Sequence, residues 1–337
     1  MTWDELDWDA LDRLRQGFLA AEPSRRAYWK STSDLACYDL TFGTRIGWKW
    51  DAVLGPLRAS GWRPPPGPLL DWGCGSGVAS RKVVEVFGTE AFTEVLCHDR
   101  SPLAMAFASG KLREATGGGL KVGEATPGTD GLSGRERIGT LVISHVWNEL
   151  PASERKSLLR AVQAADSILW VEPGTHADSH ALVDVRERLR AEWGVVAPCP
   201  HSDVCGLTRL GKTPHWCHFF AQPPPGVLAD SDWVRFAQRA GIDLRSLPYS
   251  YLVLDRRVRV APVAGAVRLI GWPRHYKGYA RIFVCDASGL WERTLQERDH
   301  TALFKELRDG PRPALLKVRV EGDRIQEAAW LEAPAGG

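Results

Sequence analysis

Two groups of residues in this 337-residue chain have the types and spacing to do chemistry. The first is Asp71-Trp72-Gly73-Cys74-Gly75-Ser76-Gly77, a D-x-G-x-G-x-G run that follows the apolar Leu69-Leu70. Glycine is needed where a turn is tight and a ligand lies against the backbone, because a Cβ there would clash. Asp99 ends the next apolar run, Val95-Leu96-Cys97-His98, where a carboxylate can accept hydrogen bonds from both hydroxyls of a ribose. Gly123-Glu124-Ala125 closes a third run and places Glu124 where an adenine would lie. The second group is Cys199, Cys205 and Cys217, spaced C-x5-C-x11-C on a Gly/Pro-rich stretch, with Cys285 ending the later run Arg281-Ile282-Phe283-Val284. Four thiolates suit an iron–sulfur cluster or a structural zinc. The C-x2-C knuckles usual for zinc are absent, but His201, His215 and His218 could substitute as ligands, so zinc stays open. Cys37, Cys74 and Cys97 fit the ordinary role of small buried residues.

The dinucleotide pattern G-x-G-x-x-G places its third glycine differently and sets a pyrophosphate on the helix N-terminus. The form found here instead resembles motif I of class I methyltransferases, which implies S-adenosylmethionine as cofactor. Methyl transfer from a sulfonium asks an enzyme chiefly to position the acceptor and exclude water. Amine-methylating enzymes carry an Asn/Asp-Pro-Pro-Tyr-like run after the fourth strand. Here the corresponding run is Ser144-His145-Val146-Trp147-Asn148-Glu149-Leu150-Pro151, and it holds no cysteine nucleophile for a 5-methylcytosine mechanism either. His145, Asn148 and Glu149 are the candidate catalytic residues, able to bind a base edge or act as a general base. They suit a helix cap and its solvated neighbours equally well.

These residues must be held by elements, and the pattern names them. Strands 69–72, 95–99, 120–122, 141–144 and 168–171 alternate with helices over about 79–87, 102–115, the stretch after Ser153, and 179–193. Such alternation implies parallel βαβ units and a doubly wound sheet. The expected fold class is therefore α/β: a Rossmann-like class I methyltransferase sheet with N-terminal helices, a Cys-rich metal-binding loop and a C-terminal β extension. Its segments are a helical lead over 1–62, a cofactor-binding core over 67–197, the cluster loop and β extension over 198–332, and a disordered tail over 333–337. The proline run Arg63–Pro68 separates lead from core. Beyond Ser250, short alternating runs suggest antiparallel strands, a small barrel or a sheet extension.

Composition narrows the class. Hydrophobic residues make up 44% and charged residues 25%, ordinary for a globular protein with a sizeable core. The N-terminus has no apolar signal core, and no apolar stretch reaches the roughly twenty residues of a membrane span, so a cytoplasmic protein with no membrane contact is expected. In that compartment seven cysteines argue for metal binding or burial rather than disulfides. Net charge is only +2, yet Asp255 to Arg319 holds twice as many Lys and Arg as Asp and Glu, an excess able to neutralise phosphates. Nothing here sets the oligomeric state.

Leu69 to Gly77, Val171-Glu172-Pro173-Gly174-Thr175, Cys199-Pro200-His201, Trp216-Cys217-His218-Phe219 and Ser250-Tyr251-Leu252-Val253 follow in this order, completed by Pro273, Gly278 and Cys285. That series resembles the methyltransferase-like small-ribosomal-subunit assembly factors of mitochondria and their bacterial relatives, over roughly residues 65–310. The resemblance implies a class I methyltransferase fold, binding to the small subunit near its 16S-type rRNA, and a [4Fe–4S] cluster ligated by Cys199, Cys205, Cys217 and Cys285. The usual Cys-Pro-Leu of those proteins stands here as Cys205-Gly206-Leu207, and their closing Trp-Gly-Asp-like segment is absent. A small-molecule methyltransferase with a structural zinc is the alternative reading.

Overall fold

Apolar residues at helical spacing open the chain, and helices form there. α1 (Trp8–Leu19) buries Ala10, Leu11 and Leu14. α2 (Thr32–Tyr38) starts at Ser31, whose Oγ accepts the Asp34 N–H. It passes through a π-helical turn, Asp39–Gly43, into α3 (Thr44–Ala59). The structure, a computed structural model, describes residues 1–19, 29–125, 131–132, 134–258, 263–309 and 315–331. The tail expected to be disordered, 333–337, lies outside these, as do residues 259–262 and 310–314 of the basic stretch.

After the proline run come β1 (Leu69–Trp72), α4 (Val78–Phe87), β2 (Val95–His98), α5 (Pro102–Ala115), β3 (Val122–Glu124), β4 (Ile138–Ser144), α6 (Ala152–Ala164) and β5 (Ala165–Pro173). Then follow α7 (His176–Leu189), β6 (Gly194–Ala197), α8 (Gly206–Leu210), β7 (Phe219–Ala221), α9 (Ser231–Ala240) and β8 (Leu247–Asp255). The chain ends in β9 (Ala266–Tyr276), β10 (Tyr279–Asp286), β11 (Gly289–Gln296), α10 (Thr301–Asp309), β12 (Leu315–Glu321) and β13 (Arg324–Trp330). Among the described residues no helix is long and apolar enough to cross a membrane.

The chain divides into two compact units, Met1–Trp170 with Pro223–Leu247, and Val171–Gln222 with Pro248 onward. The first unit holds a parallel sheet in the order β3-β2-β1-β4-β5. β1 lies at its centre, with Leu70 opposite Leu96 on one side and Leu141 on the other. All four β1 residues are buried, as expected of a central parallel strand covered on both faces. Serine and proline start α5: Ser101 Oγ accepts the Ala104 N–H at 3.4 Å, and Pro102 needs no donor in the first turn.

In the second unit the sheet order runs from the end of β5 to β8 and then β6, with β7 on β8. β8 and β6 are antiparallel. The parallel strands of the first unit and the antiparallel pair of the second belong to the class I methyltransferase-like α/β fold with a mixed sheet. The remaining strands form a closed barrel in the order β9-β10-β11-β13-β12. Val267, Leu269, Ala280, Ile282, Val284, Leu295, Leu316 and Ile325 fill it, together with Leu303, Phe304 and Leu307 of α10. Each fully buried Leu, Ile or Phe there contributes about 1.5–3 kcal/mol, an upper bound set by an extended unfolded chain. The β extension is thus a barrel with its own core.

Candidate functional site

The glycine loop leaves β1 and enters α4 in the first unit. Gly73, Gly75 and Gly77 all have positive φ, at 77°, 51° and 77°. A Cβ on Gly73 would lie 2.6 Å from Val146 Cγ2, and one on Gly77 would lie 2.9 Å from Ala108 Cβ. Gly75 differs, because a Cβ there would meet only Trp29 Cζ2 at 4.0 Å. The space over Gly75 is therefore open, as a ligand cradle requires, whereas the outer two glycines are held by protein packing.

Asp99 sits beside this loop. Its Oδ2 accepts the Gly75 N–H at 3.1 Å and its Oδ1 accepts the Ser101 N–H at 2.9 Å. Burial pushes its carboxyl above the usual range, against those two N–H donors. Asp71 is buried within β1 and accepts the Ser80 hydroxyl at 2.5 Å, so it braces the loop from below. Burial raises its pKa to about 6, with the Ser80 hydroxyl pulling the other way. Glu124, at the exposed end of β3, accepts the Ser109 hydroxyl at 2.9 Å.

Two residues that sequence reasoning missed complete this region. Arg81 of α4 donates to the Ser76 carbonyl at 2.7 Å and to Asp39 Oδ1 at 2.5 Å, tying the loop to the π-helical turn. Tyr38, the last residue of α2, has its hydroxyl pushed up by burial and then by the carboxylates of Glu149, Asp39 and Asp99. It thus faces the same acidic group of residues. No periodicity marks a pair such as Arg81 and Asp39, separated by 42 positions.

Of the catalytic candidates, His145 ends the run from β4 with φ at 56°, a rare backbone conformation for a non-glycine residue. Lys49 Nζ stands 3.1 Å from its Nε2, and Ser144 Oγ stands 3.3 Å from its Nδ1. Burial, and then the Lys49 charge, holds the imidazole well below its usual pKa, so it is neutral. A lysine ammonium can only donate, so Nε2 is the acceptor and Nδ1 carries the proton. Trp50 Nε1 fixes Ser144 Oγ in turn, at 3.0 Å. Both ring nitrogens of His145 are thereby engaged. Asn148 is exposed and Glu149 half-buried in the one-turn helix Trp147–Glu149.

The second unit brings the cysteines together. Cys199, Cys205, Cys217 and Cys285 line one pocket with Arg186 and Arg268. Burial, then the other three thiols, pushes Cys217 well above the ordinary thiol value, and burial dominates for Cys205 and Cys285 as well. The two arginines are only 2% and 4% exposed. Arg186 Nε donates to Cys199 Sγ at 3.2 Å and its Nη2 to the His201 carbonyl at 3.0 Å, while Arg268 Nε donates to the Pro198 carbonyl at 2.7 Å. Two hydroxyls converge on one carbonyl: Ser179 and Ser250 both donate to the Cys217 carbonyl, at 2.7 and 2.6 Å. Among the described residues no group of three His, Cys, Asp or Glu side chains is placed to hold a single metal ion.

The other cysteine and histidine expectations also find places. Cys37, Cys74 and Cys97 are buried, away from this pocket. His218 Nδ1 bonds the Trp216 carbonyl at 3.0 Å and the His215 ring lies 4.5 Å from that of Phe283, tilted by 35°; neither lines the cysteine pocket. Gly206 begins α8, where a Cβ would come within 2.9 Å of the Gly289 and Leu290 backbone. Close packing of α8 on β11 thus calls for glycine at this position.

Comparison with known proteins adds a family and a set of loose structural likenesses. The profile of the family described as mitochondrial small ribosomal subunit Rsm22 matches residues 54–311. None of the curated proteins matches the chain. Among solved structures, the N-methyltransferase NodS of Bradyrhizobium japonicum with bound S-adenosyl-L-homocysteine is 12% identical, over 73% of this chain and 97% of its own, with a TM-score of 0.39. Magnesium protoporphyrin IX methyltransferase of Synechocystis with bound S-adenosylmethionine is 18% identical, over 58% and 85%, with a TM-score of 0.37. Superpositions this loose carry no argument about function.

Proposed function

The chain belongs to the mitochondrial small ribosomal subunit Rsm22 family, and from that premise we propose a cytoplasmic, S-adenosylmethionine-binding factor that acts on the small ribosomal subunit and its 16S rRNA. The observation that carries this is the extent of the match: residues 54–311 include the glycine loop, Asp99 and all four pocket cysteines. The cofactor would lie over Gly75, with Asp99 on the ribose and Glu124 toward the adenine. Asp71, Gly73 and Gly77 shape that cradle without touching the ligand. A role in assembly is favoured over rRNA modification. His145, with Nε2 held by Lys49, has no free nitrogen with which to take a proton, and Asn148 and Glu149 supply no replacement motif.

We further propose that Cys199, Cys205, Cys217 and Cys285 ligate a [4Fe–4S] cluster. One feature of the pocket fits that group. Arg186 and Arg268 are buried cations beside the four thiols, Arg186 also pairing with Glu187, and cations near a thiol favour the thiolate form that a cluster takes. When bound, the cluster would supply a redox-sensitive cross-link between α8, β10 and the Cys-rich loop.

Co-sedimentation with purified small subunits, alongside transfer of labelled methyl groups to them, tests the proposal. Binding without incorporated label is the expected result. Label in the RNA would move the protein to the modifying enzymes, and no co-sedimentation at low salt would remove the ribosomal role.

A further inference from the structure

We propose that the C-terminal barrel binds single-stranded RNA, stacking unpaired bases on the outward face of β9 and β10. This rests on the ribosomal reading above and gives it a contact surface. The barrel closes in the order β9-β10-β11-β13-β12. β9 pairs antiparallel with both β10 and β12, while β11 and β13 are parallel. Between its third and fourth strands lies α10, whose Leu303, Phe304 and Leu307 enter the barrel core. Five strands in this order, with that parallel pair and that helix, form the OB arrangement, a barrel that binds oligonucleotides, usually around its second and third strands; here the exposed rings stand on its first and second.

Topology alone does not name a ligand, but the side chains do. Ala280, Ile282 and Val284 point into the core, so Tyr279 and Arg281 between them point outward. Across the hairpin Tyr276 is opposite Tyr279, and Arg274 is opposite Arg281. The two tyrosine rings stack at 4.9 Å with 12° between their planes. Tyr276 is 47% exposed, and Trp272, at 46%, stands two positions from Arg274 where the β9–β10 register shifts, its ring edge-on to Phe220. Two exposed aromatic platforms therefore flank a pair of guanidinium groups. Bases stack on such rings irrespective of sequence, and cations between them meet the phosphates.

The charges decide between single and double strands. Arg274 pairs with Glu292, and Arg281 pairs with Asp323 at 2.8 Å. Lys277 lies in the turn between β9 and β10. With two carboxylates on the face, a polyanion offering only its backbone gains little. An oligonucleotide with exposed bases gains the stacking as well. Duplex RNA presents no base faces to such a surface.

The experiment is fluorescence anisotropy of a labelled 12-nucleotide unstructured RNA, and of its duplex, with the full chain. Wild type should bind the single strand at least about tenfold more tightly than the duplex. Trp272→Ala, and Tyr276→Ala combined with Tyr279→Ala, should each weaken binding roughly tenfold or more, the usual loss per stacked base. Their thermal midpoints and S-adenosylmethionine affinity should match wild type. Arg281→Gln keeps every ring and should weaken binding less than either aromatic change, because Arg281 already pairs with Asp323. Wild-type affinity in both aromatic variants, or equal affinity for duplex, would overturn the proposal while leaving the ribosomal reading intact. If wild type fails on the single strand yet co-sediments with small subunits, the barrel proposal alone falls. Failure in both assays removes the two together.

Discussion

Gly73 and Gly77 must be glycine for a different reason from Gly75. The outer two would clash with Val146 and Ala108, whereas a side chain on Gly75 would project into open space. Gly75→Val is therefore expected to abolish S-adenosylmethionine binding, measured by calorimetry on folded protein; Gly77→Ala should mainly cost stability, about 1–3 kcal/mol for a strained residue at positive φ. Unchanged affinity in Gly75→Val would remove the site. Asp71 gives a pH signature. Its folded carboxyl, raised to about 6, holds a proton that the unfolded chain has lost above about pH 4. The folded state thus binds more protons in that window, and stability contributed here should fall as pH rises from about 4 to 6, by about 3 kcal/mol in all. Asp71→Asn should flatten that part of the profile in urea titrations; an unaltered slope would contradict the assignment. Residue types made the glycines, Asp99 and the four cysteines legible. Arg186 left a readable trace too, since it sits with Leu182, Val183 and Leu189 on the buried face of α7. Lys49 left none, because nothing local links it to His145, 96 positions away.

At the scale of elements, periodicity found the parallel strands and their helices, with ends displaced by a few residues. α7 runs over His176–Leu189 rather than 179–193, because Thr175 caps it by accepting the Asp178 N–H at 3.2 Å. The π-helical turn Asp39–Gly43 was not legible, since it differs from an α-helix by one hydrogen-bond register and not by pattern. It matters because Asp39 reaches Arg81, and Arg81 holds the Ser76 carbonyl. Arg81→Ala is expected to weaken S-adenosylmethionine binding about tenfold, in line with a lost charge-assisted hydrogen bond, with a smaller effect on thermal midpoint. Equal affinity for wild type and variant would make this tie structural only.

For the whole molecule, the match to one family spans the glycine loop and the cysteine pocket, each built inside its own unit. Alternating strands and helices pointed to a doubly wound sheet, and the short runs beyond Ser250 to a small barrel or a sheet extension. Which of the two forms was not legible, because closure depends on β9 meeting β12, a pairing about fifty positions apart that local alternation does not encode. All four cysteines were named from the sequence, and the pocket they line is a product of folding. The proposed cluster in this pocket is tested most directly by metal analysis of protein made and kept without oxygen. The expected result is brown protein with about four irons per chain, most of them lost in Cys217→Ser because a hydroxyl poorly replaces a soft thiolate, and retained in Cys97→Ser. One zinc per chain without visible absorption, or no metal with all four thiols freely titratable, would contradict it.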